Sequence, residues 1–197
     1  VGGAQTFLLD LLPELAADYE IRVVGLYAGA LRGEMEARGV PVTELSHRRL
    51  VSLPTWRALS RIVAEFRPEI VHTHLGRADV YGRLAARRNG VPVIFTHSQN
   101  IENWKKKPLF NWIDNRTMRW NRGIFAVSRR VREFLIERGV AREKITLCYN
   151  GLRLEEKLRL PADFSRAALL REFGFTENDR ILTIIARLDE QKGHRFL

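Results

Sequence analysis

The 197-residue sequence has a single cysteine and no long apolar run, and both features narrow the class of protein. One cysteine excludes a disulfide scaffold, and Cys148 lies in the apolar run 145–149, as expected of a small core residue in a reducing compartment. No apolar run approaches the roughly 20 residues that a membrane-spanning helix needs. A hydrophobic share of 45% and a charged share of 28% exclude disorder and collagen-like repeats. We therefore expect a globular, cytoplasmic protein.

Acidic residues are fewer than basic ones, and the imbalance is unevenly distributed along the chain. Lys and Arg number 33 against 23 Asp and Glu, which gives a formal net charge of +10. Residues 1–46 hold three Arg against seven acids, so the excess positive charge lies after residue 46. The densest basic segment begins at Trp104 and ends at Arg122, where six Lys and Arg and three Trp accompany only Asp114.

This basic, Trp-rich segment allows two interpretations. It can bind phosphates or an anionic surface at the inner face of the membrane, which leaves peripheral attachment open. Composition alone favours the other interpretation, a solvated helix whose Trp rings pack on the core. Because no helix-turn-helix, zinc-finger or RNP pattern accompanies the charge, we expect no nucleic-acid binding.

Short β-rich runs alternate with helical patterns along the chain, which is typical of a parallel sheet covered by helices on both faces. The predicted strands are 21–27, 40–44, 69–73, 91–96, 123–127, 144–148 and 181–188. The predicted helices are 3–17, 31–38, 54–66, 77–88, 108–119, 128–138 and 165–173. Helix stop signals are supplied by Gly39, Gly90 and Gly139, and Ser128 is a predicted N-cap. We therefore predict the α/β class with a Rossmann-like sheet.

The pattern changes after residue 150, where a charged stretch without a clear period contains Pro161. We expect a first domain over 1–150, a linker with a short helix over 151–178, and the start of a second domain over 179–197. A helix begins almost at the first residue, and the last residue falls inside the helix expected after the strand 181–188. We therefore expect a fragment of a longer protein, inactive by itself.

Three histidines raise the possibility of a metal site. His72 and His74 project to one face of their strand, because side chains alternate with a period of two. With His97 on another strand they could supply three zinc ligands, as in a metal-dependent hydrolase. No HExxH motif or cysteine pair accompanies them, so a metal-dependent hydrolase is an alternative and not the main prediction.

Several segments together resemble one enzyme family. They are GGAQTFLLDLL at 2–12, FAVSRRVREFLIERGV at 125–140, EKITLCYNGL at 143–152 and IARLDEQKGH at 185–194. Their residues, order and spacing resemble family 4 of the retaining, nucleotide-sugar-dependent glycosyltransferases. The resemblance covers essentially the whole chain and implies the GT-B architecture, in which two Rossmann-like domains face each other across a catalytic cleft. The chain would then be an N-terminal, acceptor-side domain without its first strand, plus a stub of the nucleotide-sugar-binding domain.

The resemblance also implies roles for five residues. Arg187 and Lys192 would stabilise the negative charge that develops on the departing nucleoside diphosphate, with no metal or other cofactor. Gly2 and Gly3, at the positive end of a helix dipole, would lie near the donor phosphates. His97 would contact the donor sugar. The family usually has Gly where this sequence has Ala186, which affects only how closely the backbone approaches the donor.

The resemblance leaves the substrates and two further alternatives open. The acceptor is a glycan, a lipid or a small molecule, and the loops 46–53 and 99–107 are basic enough for a phosphorylated or lipid-linked one. GT-B folds also include nucleotide-sugar epimerases, since a fold does not fix a reaction. A non-catalytic basic binding module is the last alternative.

Overall fold

The computed structural model describes residues 2–45, 52–101, 108–152, 158–186, 188 and 192–196. The chain divides into two units, Val1–Arg153 and Leu154–Leu197. The first unit contains six strands and six α-helices within its described residues. In chain order these are α1 (Gly3–Leu15), β1 (Val23–Gly25), α2 (Arg32–Ala37), β2 (Val42–Glu44), α3 (Leu53–Phe66), β3 (Ile70–His74), α4 (Gly76–Arg88), β4 (Val93–Ser98), α5 (Pro108–Met118), β5 (Gly123–Ala126), α6 (Arg129–Glu137) and β6 (Ile145–Leu147).

All described strand pairs are parallel. β1 pairs with β2, and β3, β4, β5 and β6 form a four-stranded sheet in that order. Each strand of the larger sheet is joined to the next by a helix, as parallel neighbours require. The predicted α/β class, with a parallel sheet covered by helices, is confirmed. The six predicted strands and six predicted helices of this unit are also found, within a few residues at each end.

Helices cover both faces of the larger sheet. On one face α4 packs so closely that a Cβ on Gly82 would lie 2.5 Å from Cγ2 of Thr73 in β3, so only glycine fits there. On the other face Phe7 of α1 contacts the ring of His97 in β4. Thr73 and His97 therefore mark the two faces of the sheet.

Local signals place the helix ends where the sequence predicts them. Ser128 caps α6, because its hydroxyl oxygen accepts a hydrogen bond from the Val131 N–H at 3.2 Å. Gly39, Gly90 and Gly139 follow α2, α4 and α6 with φ of 81°, 68° and 84°, a left-handed conformation that favours glycine. The core between α6, β5 and β6 is apolar and includes Ile124, Ala126, Val131, Leu135 and Ile145.

The second unit has little regular structure among its described residues. The predicted helix is present as α7 (Arg166–Glu172), capped by Ser165. The predicted buried strand at 181–188 is wrong for the described residues, because 181–186 form no strand and Ile185 is 94% exposed. A parallel strand needs a neighbouring strand for its backbone hydrogen bonds, and the described part of this unit offers none.

Candidate functional site

Three histidines lie together at the carboxyl edge of the four-stranded sheet. β3 ends at His74, β4 carries His97, and these two residues are direct partners in the parallel ladder. His72 lies two residues before His74, so both side chains share one face of the strand. The three residues form the histidine cluster, at the edge where open parallel sheets bind their ligands.

The rings of the histidine cluster are in contact with one another. Their centroids are 4.4 Å apart for His72 and His74, 5.3 Å for His74 and His97, and 5.8 Å for His72 and His97. Phe7 of α1 meets the His97 ring edge-on at 5.4 Å, and Phe125 of β5 lies 5.8 Å from it. Aromatic rings thus surround His97 and hold its orientation.

Two ring nitrogens of the cluster have no partner within the described residues. They are Nδ1 of His74 and Nε2 of His97, both buried. His97 is only 3% exposed. Buried polar atoms in folded proteins are almost always hydrogen-bonded, so these two nitrogens are candidates for a hydrogen bond to a group outside the described residues. A neutral imidazole can donate from one nitrogen and accept at the other, which suits a sugar hydroxyl.

The surroundings keep the histidine cluster uncharged. Removal from water lowers the pKa of His74 to about 2, and the charges that His72 and His97 would carry lower it further. Desolvation beside Phe95 and Phe125, followed by the charge on His97, lowers the pKa of His72 to about 4, although that residue is partly exposed. Desolvation also lowers the pKa of His97. All three rings are therefore neutral at pH 7.

We expect folding stability to fall as the solution is acidified below pH 6.5. Unfolded histidine takes up a proton near pH 6.5, whereas folded His74 does not until about pH 2, so acid favours the unfolded chain. The free energy of unfolding should drop by about 2 kcal/mol between pH 6.5 and pH 5 on account of His74. Urea denaturation at the two pH values measures it. His74→Gln should lose this part of the pH dependence, whereas the control His194→Gln, outside the cluster, should retain it.

The histidine cluster also brings together the residues of the metal-site hypothesis. One nitrogen from each ring lies within 4.8 Å of the others, whereas three nitrogens on one zinc ion would be roughly 3.3 Å apart. Neutral imidazole is the form that binds metals. The described residues contribute no carboxylate or thiol to the group. The geometry is therefore compatible with zinc and equally with a sugar.

A buried ionic network occupies the opposite face of the same sheet edge. Arg83 of α4 is fully buried, and its Nη2 donates to Oδ1 of Asp114 in α5. Arg138, after α6, donates from Nη2 to Oδ2 of Asp114 at 2.8 Å. Asp114 therefore joins three helices. In the sequence, only the single acid within the basic segment hints at this network.

Gly2 is the N-cap residue of α1 and Gly3 is its first residue, so both lie at the helix start that the sequence predicts. Gly2 has a φ of −118°, which any residue can adopt, so a tight turn is not the reason for glycine there. A Cβ on Gly3 would meet nothing within 4 Å, which leaves room for close approach of a ligand. The Gly2 N–H donates to Oε1 of Gln5 at 2.8 Å, and the N–H groups of Gln5 and Thr6 donate to the Gly2 carbonyl. Within the described residues this leaves the N–H groups of Gly3 and Ala4 for an anion.

Arg187 and Lys192, the predicted leaving-group residues, belong to the second unit. Lys192 is exposed in the second unit, and Arg187 lies outside the described residues. Gly193 follows Lys192 with a φ of 71°. The roles of Arg187 and Lys192 stay predictions.

The basic segment forms α5 in its described part. Trp112 is 64% exposed, so the interpretation that its ring packs on the core is wrong for this residue. Trp120 is half-buried, and Trp104 with the three following lysines lies outside the described residues. Within the described part of the chain, no helix has the length and apolar character needed to cross a bilayer.

The structure is that of a parallel α/β protein with the histidine cluster at the carboxyl ends of β3 and β4. Open parallel sheets generally bind their ligands at this edge. The chain belongs to glycosyltransferase family 4, because the model of that family matches residues 1–156.

One curated relative and two kinds of solved structure are similar to this chain. The relative, UDP-Gal:alpha-D-GlcNAc-diphosphoundecaprenol alpha-1,3-galactosyltransferase of Escherichia coli, is 27% identical over 142 residues, which cover 69% of this chain and 36% of that protein. Anabaena HepE, solved with UDP and glucose, has a TM-score of 0.72 at 19% identity, and the match covers 88% of this chain and 47% of the HepE chain. A UDP-N-acetylglucosamine 2-epimerase has a TM-score of 0.61 at 15% identity, and the match covers 87% of this chain and 50% of the epimerase chain. The chain thus spans about half or less of each similar protein.

Proposed function

We propose that the intact protein is a retaining glycosyltransferase that moves a sugar from a nucleotide-sugar donor to an acceptor. Membership of glycosyltransferase family 4 carries this proposal. A UDP-sugar is the first donor to test, because the Escherichia coli relative is named for UDP-Gal and HepE was solved with UDP.

The acceptor we propose is a sugar linked through a diphosphate to a lipid. The relative's acceptor is GlcNAc-diphosphoundecaprenol, which combines two phosphates with an apolar chain. The basic character of residues 47–49 and 105–107 suits the phosphates of such a molecule.

His97 would contact the donor sugar, and its neutral ring would orient a hydroxyl without attracting the phosphates. The first turn of α1, at Gly2 and Gly3, would lie near the donor phosphates, where the helix dipole favours negative charge. Arg187 and Lys192 would stabilise the leaving nucleoside diphosphate.

The proposed transfer needs no nucleophile from the protein. The bond from the sugar's anomeric carbon to the diphosphate oxygen breaks, and its electron pair stays with the diphosphate. The acceptor hydroxyl attacks the carbon on the face that the leaving group vacates, which retains configuration. Its proton passes to a donor phosphate oxygen.

A transfer assay on the intact protein tests the proposal. UDP-galactose and UDP-glucose are supplied with a GlcNAc-diphosphate lipid, and we expect sugar to appear on the lipid. Isomerisation of a nucleotide sugar without any acceptor would instead support the epimerase alternative. No reaction, with retained lipid binding, would support the non-catalytic binding module.

Metal analysis separates transfer from the hydrolase alternative, for which the histidine cluster would supply three nitrogen ligands. We expect purified protein to contain far less than one zinc per chain, and EDTA to leave the transfer rate unchanged. Stoichiometric zinc that is lost in His74→Gln would favour the metal site.

Peripheral attachment to an anionic membrane belongs to the same proposal. Trp112 is exposed on α5, in a segment where each Lys or Arg near such a surface contributes roughly 1 kcal/mol. We expect co-sedimentation with vesicles containing phosphatidylserine at low salt, and release at high salt. Replacement of Lys105, Lys106 and Lys107 by alanine should weaken it. Binding that ignores salt, or that is absent at low salt, would contradict attachment by charge.

A further inference from the structure

A small cavity lies at the carboxyl end of β4, on the face of the sheet opposite the histidine cluster. Its volume is about 30 Å³. The first half of α4, the second half of α5 and the end of α6 enclose it together with the end of β4. The polar lining residues used below are Asp79, Arg83, Ser98, Gln99, Asp114 and Arg138. We call this site the polar cavity.

The polar cavity and the histidine cluster are at the ends of the same two strands. Leu75 lines the cavity and directly follows His74 of the cluster. Ser98 lines the cavity and directly follows His97. Consecutive Cα atoms are about 3.8 Å apart, so the two sites are neighbours at the carboxyl edge of the sheet. Leu75 and Asn100 are exposed, so the cavity wall includes residues at the protein surface.

The side chains that line the polar cavity include unused hydrogen-bond donors. Arg83 is fully buried, and its Nε and Nη1 have no hydrogen-bond partner within the described residues. The buried Nε2 of Gln99 also has none, whereas its Oε1 accepts a hydrogen bond from Nδ2 of Asn150 at 2.9 Å. Buried N–H groups in folded proteins are almost always hydrogen-bonded, so these donors are candidates for bonds to a group inside the cavity. That group has to accept hydrogen bonds.

The formal charges around the polar cavity cancel. The lining holds two arginines and two acids, which are Arg83, Arg138, Asp79 and Asp114. Both arginines donate to Asp114, each to a different carboxylate oxygen. An anion in the cavity would add a buried net charge, which is costly, whereas a neutral acceptor adds none. The cavity therefore suits a carbonyl oxygen better than a carboxylate or a phosphate.

The size and the apolar wall of the polar cavity narrow the group further. One water molecule needs roughly 10–15 Å³ of cavity, so about 30 Å³ holds roughly two or three heavy atoms and not a sugar ring. Met118, Ile124 and Leu135 supply apolar surface beside the donors. A carbonyl group bonded to a methyl group matches both parts of this lining. The acetamido group of an N-acetylated sugar ends in these atoms.

We propose that the polar cavity binds the acetamido group of an N-acetylated acceptor sugar. This inference rests on the proposed function and specifies the sugar of its acceptor. Arg83 and Gln99 donate to the acetamido carbonyl oxygen, and the methyl group packs on the apolar wall. The sugar ring stays outside the cavity, at the sheet edge beside the histidine cluster. N-acetylated acceptors are therefore preferred over acceptors that carry a hydroxyl in place of the acetamido group.

Two sugar phosphates that differ in one substituent test binding to the intact protein, with no sugar donor present. GlcNAc 1-phosphate carries the acetamido group, and glucose 1-phosphate carries a hydroxyl in its place. Calorimetric titration should give GlcNAc 1-phosphate an affinity about tenfold tighter, because it adds buried hydrogen bonds and a buried methyl group. Equal affinities, as for a cavity that holds only water, would overturn the proposal. So would acetate that competes with GlcNAc 1-phosphate more strongly than acetamide does, since the cavity would then bind anions.

Gln99→Glu removes one donor from the polar cavity with little change in size. The new carboxylate can still accept the hydrogen bond from Asn150 but repels a carbonyl oxygen, so the preference for GlcNAc 1-phosphate should disappear. The ratio of the two affinities is the readout, because repulsion of the phosphate affects both ligands alike. Ser98→Val should also abolish the preference, because its added methyl groups fill part of the cavity. Ser98 is half-buried and ends β4, where valine is favoured, so this variant should fold.

Asn178→Asp is the matched control. Like Gln99→Glu it converts an amide into a carboxylate, but Asn178 is exposed in the second unit and does not line the polar cavity. Its preference for GlcNAc 1-phosphate should equal that of the parent protein. If Gln99→Glu and Ser98→Val keep the same preference as this control, the acetamido group does not bind in the cavity and the proposal is wrong.

The transfer assay distinguishes failure of this inference from failure of the proposed function. The intact protein should use a GlcNAc-diphosphate lipid with a kcat/KM about tenfold above that for a glucose-diphosphate lipid. Both cavity variants should erase this difference. Equal transfer to the two acceptors in the parent protein would remove the polar cavity from the acceptor site and keep the enzyme a transferase. Selective binding of GlcNAc 1-phosphate without transfer to either acceptor would support the cavity and contradict the proposed function.

Discussion

Arg187→Ala and Lys192→Ala should each lower kcat/KM of the intact protein by about two orders of magnitude or more. When the donor breaks, negative charge grows on the departing diphosphate. A cation fixed at that position stabilises the transition state more than the bound substrate, so its loss should appear in kcat as well as in KM. Steady-state kinetics with saturating acceptor and varied donor measure the effect.

The control for this prediction is Arg171→Ala. Arg171 is an exposed cation of α7 in the same unit. Its replacement changes the net charge by the same amount as the Arg187 and Lys192 variants but leaves both residues of the proposed site in place. Its kcat/KM should stay within about twofold of the parent. Similar, mild losses in all three variants would remove Arg187 and Lys192 from the leaving-group site.

Asp114→Ala should lower the free energy of unfolding by about 3 to 5 kcal/mol. Asp114 receives hydrogen bonds from Arg83 and Arg138, and Nε and Nη1 of Arg83 have no hydrogen-bond partner within the described residues. Removing the carboxylate therefore leaves a fully buried guanidinium without the acceptor to which its Nη2 donates. Most small domains have a total stability of about 5 to 15 kcal/mol, so this variant should be close to unfolding.

Urea denaturation of Asp114→Ala and of Glu137→Gln separates a buried charge pair from a surface one. Glu137 pairs with Arg130 at 3.0 Å, and both side chains are about 60% exposed. Solvent screens such a pair, so its loss should cost less than about 1 kcal/mol. A double variant, Asp114→Leu with Arg83→Met, should recover part of the stability, because it removes the unpaired charge. If Asp114→Ala and Glu137→Gln are equally stable, the network does not stabilise the fold.

Most of the first unit could be predicted from the sequence because its signals are local. The β-rich runs, the helical periods, the cap at Ser128 and the glycines after three helices act within a few residues of each other. The prediction of a strand at 181–188 was wrong because strand formation is not local. A strand forms only when a neighbouring strand is present, and a local pattern does not show whether one is.

The sequence by itself determined the alternation of strands and helices, the family motifs and the individual candidates His72, His74 and His97. Only the tertiary structure decided that these three rings meet with unpaired nitrogens, that Asp114 joins Arg83 to Arg138, and that α4, α5 and α6 enclose a polar cavity at the end of β4. Each of these depends on residues more than twenty positions apart in the chain. Such contacts depend on the order of the strands in the sheet and on how the connecting helices pack on its faces. No local sequence pattern encodes either of these.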